Sequence, residues 1–171
     1  MFSVKQWMMA VTAGAAFTSA ALAGNAPTAS TDLFDRAADM VKGRQVMSAA
    51  EIASSLGSES PGSSHGTQIT FPAGTYIGVS VSEIRVATTQ AGVPQFAEVV
   101  TDPSGCIDAT PLQTRYTADG LYDVPLAPAD HARRYLTHEA DGVRIAIGIS
   151  MDPAFCAKSF IAEIVTKSPK S

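Results

Sequence analysis

Two periods divide the chain. From residue 31 to residue 56 apolar side chains recur at three- and four-residue spacing, and from residue 68 they alternate with polar ones. The pattern therefore predicts helices first and strands afterwards. Leu33, Phe34, Ala37, Met40 and Val41 share one helical face; Thr31 or Asp32 can cap its start, and Gly43 suits an end just after Lys42. Ser48-Ala49-Ala50-Glu51 has the form of a capping box, with Met47 and Ile52 placed as a hydrophobic staple. Leu56 completes that apolar face and Gly57 stops a second helix over 49–56. Residues 57–66, rich in Ser, Gly and Pro, are expected as a loop.

Beyond that loop, residues 68–71 form a short strand and Pro72-Ala73-Gly74 a turn. A long strand from Tyr76 carries Ile77, Val79 and Val81 on one face; the apolar parity then moves to Ile84 and Val86, which places a bulge near Ser82-Glu83. Gln90-Ala91-Gly92 turns the chain into a strand over 95–101, and Asp102-Pro103-Ser104-Gly105 is a turn leading to Cys106. Short strands are expected over 114–117 and 121–125, with a helical turn near 128–132. A hairpin of 133–139 with 143–150 follows around Ala140-Asp141-Gly142. Met151-Asp152-Pro153 breaks it, and 155–166 is a last element whose pattern fits helix or strand. Helices followed by strands define an α+β class, with two short N-terminal helices packed on an antiparallel sheet of about five to seven strands. Residues 31–166 make a single domain, followed by a polar tail over 167–171.

The N-terminus changes the picture of where the domain works. Lys5, the apolar run from Trp7 to Phe17 and the Ala21-Leu22-Ala23 triplet have the order of a secretory signal over 1–23. The run is too short for a membrane span, which needs roughly 20 apolar residues. A mature chain from Gly24, with a flexible linker over 24–30, is expected in the periplasm or outside the cell. Cys106 and Cys156 are the only two cysteines, and in an oxidising compartment they are expected to form a disulfide. The chain carries 12 Lys and Arg against 16 Asp and Glu, with the cations scattered. That argues against a nucleic-acid partner, which requires a basic stripe. No segment is apolar enough to span a membrane.

Gly62-Ser63-Ser64-His65-Gly66 matches the nucleophile-elbow pattern, but that chemistry needs a strand before Ser64 and a helix after it, and here a loop precedes and a strand follows. Asp130, His131, His138, Glu139 and Asp141 are the densest set of potential ligands. His131 and His138 are seven residues apart, which puts them on opposite faces of a strand or two turns apart on a helix, so no metal site is expected. Glu51, Glu83, Glu98, Asp123 and Glu139 could supply a hydrolase's paired carboxylates; Glu83 and Glu98 can meet across a hairpin as a solvated pair. Gly-rich cofactor loops are absent, and no cofactor is expected.

Arg133-Arg134 is the only adjacent pair of cations, beside Tyr135 and between His131 and His138. Arg and Tyr are frequent interface anchors, so His131, Arg133, Arg134 and His138 are the expected binding residues. The sequence is thus read as a small non-enzymatic exported binding protein, such as an inhibitor, immunity or accessory domain acting on another exported protein. The alternatives are a small exported hydrolase using the His131–Asp141 region or dispersed carboxylates, and a carrier of an apolar ligand.

Overall fold

The computed structural model describes residues 29–123, 134–150 and 155–166. Helix α1 spans Ala29–Gly43, starting two residues inside the stretch expected as linker. Its face of Leu33, Phe34, Ala37, Met40 and Val41 is buried. Helix α2 spans Ala49–Ser55 and has the expected capping box: the Glu51 N–H donates to Ser48 Oγ, and Glu51 Oε2 accepts from the Ser48 N–H at 2.7 Å. The bond from the Ser48 N–H, together with one that the Ser48 hydroxyl donates to the same Oε2, favours the ionised carboxylate and holds the Glu51 pKa below its ordinary value. At the other end, Gly57 N–H bonds to Ser54 O and Ser58 N–H to Ala53 O, a Schellman closure with Gly57 at φ 72°. Ser48→Ala is expected to cost about 1 kcal/mol, read from the denaturant midpoint. A change below about 0.3 kcal/mol would show that tertiary packing alone fixes α2.

The strands are β1 (Ser63–His65), β2 (Gln68–Phe71), β3 (Gly74–Tyr76), β4 (Val79–Thr88), β5 (Pro94–Thr101), β6 (Ile107–Asp108), β7 (Gly120–Asp123), β8 (Arg134–Ala140), β9 (Val143–Ser150) and β10 (Cys156–Ile164); helix α3 (Ala109–Tyr116) lies between β6 and β7. Their order is β1-β2-β4-β5-β10-β9-β8-β7, with β3 also on β4 and β6 also on β10, every pair antiparallel. The last element is therefore a strand, and it sits in the middle of the sheet.

The α+β class stands, with one disulfide, but several details of the expected architecture are corrected. The sheet has ten strands among the described residues rather than five to seven, because β1, β3 and β6 are two- or three-residue pieces too short to show a period. The helices are not all N-terminal. Residues 114–117, expected as a strand, end helix α3, whose start is fixed by Asp108 accepting from the Thr110 N–H at 2.9 Å. Residues 63–65, expected as loop, pair with β2. Ile77 does not share a strand face with Val79: it stands at φ 47° beside Gly78 at φ 78°, the two-residue turn of the β3–β4 hairpin. A Cβ on Gly57 would come within 2.7 Å of Ile77 Cγ1, so the Ile77 side chain packs into the space that Gly57 leaves open. The bulge between Val81 and Glu83 lies where the parity change put it, and Asp141-Gly142, at φ 53° and 71°, turns the β8–β9 hairpin. The helical turn expected over 128–132 and the break at 151–153 lie outside the described residues.

Register sorts the two faces of the sheet. Ile84, Val99, Phe160, Ile147 and Leu136 form one row across β4, β5, β10, β9 and β8, all buried. Helix α1 covers this face against β5 and β10, and α3 covers it against β9. Phe160 is the centre of the core: the rings of Phe34 and Tyr116 each pack 5.2 Å from its own. Cys106 and Cys156 form a disulfide with Cα atoms 5.1 Å apart, next to the β6–β10 pairing.

Candidate functional site

Where α1, α3 and the β8–β9 hairpin meet, their ends enclose a hollow of about 540 Å³. Its cations arrive from separate parts of the chain. Lys42 lies in the last turn of α1, with Nζ 5.5 Å from the centre of the Tyr116 ring. Arg44 follows the helix at φ 50°, and its Nη2 donates to the Asp141 carbonyl at 3.0 Å. That guanidinium passes close over the hairpin, where a Cβ on Gly142 would stand 3.1 Å from Arg44 Nη2. Arg115 comes from the last turn of α3, which Thr117 closes in the left-handed conformation at φ 50°. His138 comes from β8 on the opposite wall.

One half-buried carboxylate outside the lining holds two of its residues in place. Asp35 of α1 accepts from Arg115 Nε and from the Tyr116 hydroxyl, both at 2.5 Å, and so ties α3 to α1. Burial, and then the neighbouring Asp35 carboxylate, push the Tyr116 pKa well above its ordinary value. The hydrogen bond to Asp35, and then its charge, raise that of Arg115. Tyr116 therefore stays neutral in the folded state through pH values at which an unfolded tyrosine ionises, near pH 10. Its contribution to stability is fully present below about pH 10 and is lost as pH rises above it. Wild type should consequently lose up to about 1.4 kcal/mol more per pH unit above pH 10 than Tyr116→Phe does, measured by urea titration at several pH values. Equal slopes would place the phenol in contact with water.

With three permanent cations, one histidine and the single carboxylate of Asp141 on its wall, the hollow suits a carboxylate or another anionic group. Of the four binding residues expected from sequence, His138 lines it. Arg134 lies four residues earlier on the same face of β8, since Arg134, Leu136 and His138 oppose Ile149, Ile147 and Ile145. It is ion-paired at 2.9 Å to Asp123 of β7, which raises its pKa. His131 and Arg133 lie outside the described residues, as does Asp130. Glu139 alternates to the other face from His138, and no cluster of three or more metal-ligating side chains occurs among the described residues. Ser64 sits on β1 opposite Ile69, followed by a turn and a strand. Glu83 and Glu98 are not directly opposed: Glu98 faces Arg85 across β4–β5, and the Arg85 guanidinium bridges both carboxylates at 3.3 and 2.8 Å.

Lys42, Arg44, Arg115 and Thr117 were not legible as site residues. They are separated by up to 75 positions, and the only local signal was a basic residue at each helix end. Fold and site together define a disulfide-bonded α+β domain with a basic hollow at the helix ends. No helix among the described residues is long and apolar enough to cross a membrane. Compared with protein-family models and with curated proteins, the sequence matches none. Among solved structures the chain is similar to a DUF4309 family protein (YjgB) from Bacillus subtilis subsp. subtilis str. 168, at 10% identity and a TM-score of 0.46, covering 78% of this chain and 94% of that one.

Proposed function

We propose that this chain is a small exported binding protein, periplasmic or secreted, that grips an acidic group of another exported protein in the hollow around His138. The observation that carries the reading is the convergence of Lys42, Arg44, Arg115 and His138, from three separate stretches of a chain with net charge −4, on one cavity. Scattered cations on an acidic protein are brought together only by the fold, and bidentate guanidinium groups are well matched to carboxylates. The signal-like residues 1–23 and the Cys106–Cys156 disulfide support export. On this reading the partner contact runs from the hollow along the helix-side face of β8 to Arg134.

The test is titration with a glutamate-rich peptide, followed by nuclear magnetic resonance at low and raised ionic strength. Shifts should centre on Lys42, Thr117 and His138 and fade with salt. His138→Glu should leave stability within about 0.5 kcal/mol, as surface changes usually do. The same substitution should weaken peptide binding about tenfold, a coupling of about 1.4 kcal/mol. Unchanged affinity in both His138→Glu and Lys42→Glu would remove the hollow from the interaction.

A further inference from the structure

The sheet face turned away from the helices carries a second arrangement. Register aligns Glu83, Val100, Ser159, Gly148 and Tyr135 in one row across β4, β5, β10, β9 and β8, with Arg85 and Glu98 in the adjacent row. A hollow of about 430 Å³ opens over this row, within the size range of small-molecule sites. Two polar atoms in its lining residues are sealed off without a hydrogen-bond partner, Ser159 Oγ and Arg85 Nε. Ser159 is only 5% exposed, and a buried hydroxyl is rarely left unbonded unless something else supplies the bond. Arg85 Nε is 3.3 Å from Glu83 Oε2, within ion-pair distance but outside hydrogen-bond alignment.

The charges of the described lining residues balance. Glu83 and Glu98 both engage Arg85, and Lys158 Nζ donates to the Pro103 carbonyl across the rim at 3.4 Å. A ligand with net charge of either sign would therefore meet an opposing group. Tyr135 and Val100 add apolar surface, and Tyr135 also lines a neighbouring hollow of about 540 Å³ that continues across the same face past Tyr122, a side chain 61% exposed. Glycine at position 148, between Ser159 and Tyr135, leaves no side chain in that place.

We propose that this face binds a neutral, hydroxyl-rich ring compound, a short saccharide, with one ring over Ser159 and Arg85 and its apolar face against Tyr135. Hydroxyl groups both donate and accept, so one ligand can engage the exposed part of the Arg85 guanidinium and the carboxylates without adding charge, and a turn of the Ser159 side chain about χ1 would bring its unbonded hydroxyl to the same ligand. An aromatic ring with a polar tip suits the C–H face and hydroxyl edge of a sugar. This site is on the opposite face of the sheet from the basic hollow and does not depend on it.

The experiment is calorimetric titration of the disulfide-bonded protein with cellotriose, chitotriose and maltotriose. At least one should bind with a dissociation constant in the millimolar range or tighter. Ser159→Ala should weaken that binding about five- to tenfold while leaving the melting temperature equal or higher, because the hydroxyl has no partner in the unliganded fold. Tyr135→Leu should weaken it about tenfold or more, as expected for a loss of ring contact. His138→Glu should leave saccharide binding unchanged, which keeps failure of this site distinct from failure of the basic hollow. No binding of any of the three sugars to wild type would overturn the proposal. So would binding that survives both Ser159→Ala and Tyr135→Leu, or a Ser159→Ala protein that melts lower yet binds normally.

Discussion

Phe160→Ala is expected to lower the unfolding free energy by about 3–5 kcal/mol, the usual cost of emptying a buried aromatic site. Phe160 has no exposed surface. Its ring meets Phe34 of α1 and Tyr116 of α3, and its strand lies between β5 and β9. Truncation opens a cavity where two helices and the sheet join, and a rigid sheet on one side limits how far the wall can relax. Domains of this size are stable by about 5–15 kcal/mol, so the variant should stand close to unfolding at moderate temperature. The check is a urea titration: the midpoint should fall with an unchanged slope. A loss below about 1 kcal/mol would mean that α1 and α3 do not depend on this contact. Since Tyr116 also anchors Asp35, the variant should loosen the basic hollow as well, visible as broadening of the His138 resonances.

Loss of the disulfide comes next in size. The bond joins residues 50 apart, and in the chain-entropy treatment closing such a loop stabilises by about 4 kcal/mol. The Cys106→Ala, Cys156→Ala double variant should therefore lose about 2–4 kcal/mol. Cys156 is buried at the start of the central strand β10, and Cys106 is exposed at the turn before β6, so the bond pins the β5–β6 corner to β10. Thermal unfolding of the oxidised wild type, the reduced wild type and the double variant provides the measurement. Equal melting temperatures for all three would show that pairing between β6 and β10 holds the corner without the bond. A double variant as stable as oxidised wild type while the reduced protein melts lower would point instead to burial of a free thiol at position 156.

How much of this was legible in the sequence depended on whether a signal was local. The capping box at Ser48 and Glu51, the apolar face of α1, the bulge beside Ser82-Glu83 and the Asp141-Gly142 turn are each written within a few neighbouring residues, and each stands in the structure. The disulfide followed from the expected compartment and the count of two cysteines. Failures came where a tertiary neighbour overrode the local pattern. Thr114 to Thr117 carries β-favouring residues, yet Asp108 starts a helix and Asp35, some 80 positions away, holds Arg115 and Tyr116 at its end. Ile77 is a β-branched residue in a left-handed turn, with its side chain packed where Gly57 has none.

The candidate sites divide in the same way. His138 and Arg134 were marked by their cluster of cations, but the companions of His138 in the hollow come from helix ends far away in the chain, and no spacing rule could have joined them. By itself the sequence determined the α+β class, the positions of most elements, the cysteine pairing and the export-like N-terminus, because periodicity, caps, turns and composition act over short stretches. Strand order, the central place of β10, the gathering of Lys42, Arg44, Arg115 and His138, and the unbonded Ser159 hydroxyl were decided only by tertiary structure. The physical reason is that sheet register and helix packing bring together groups whose attraction is felt only once the chain between them has folded.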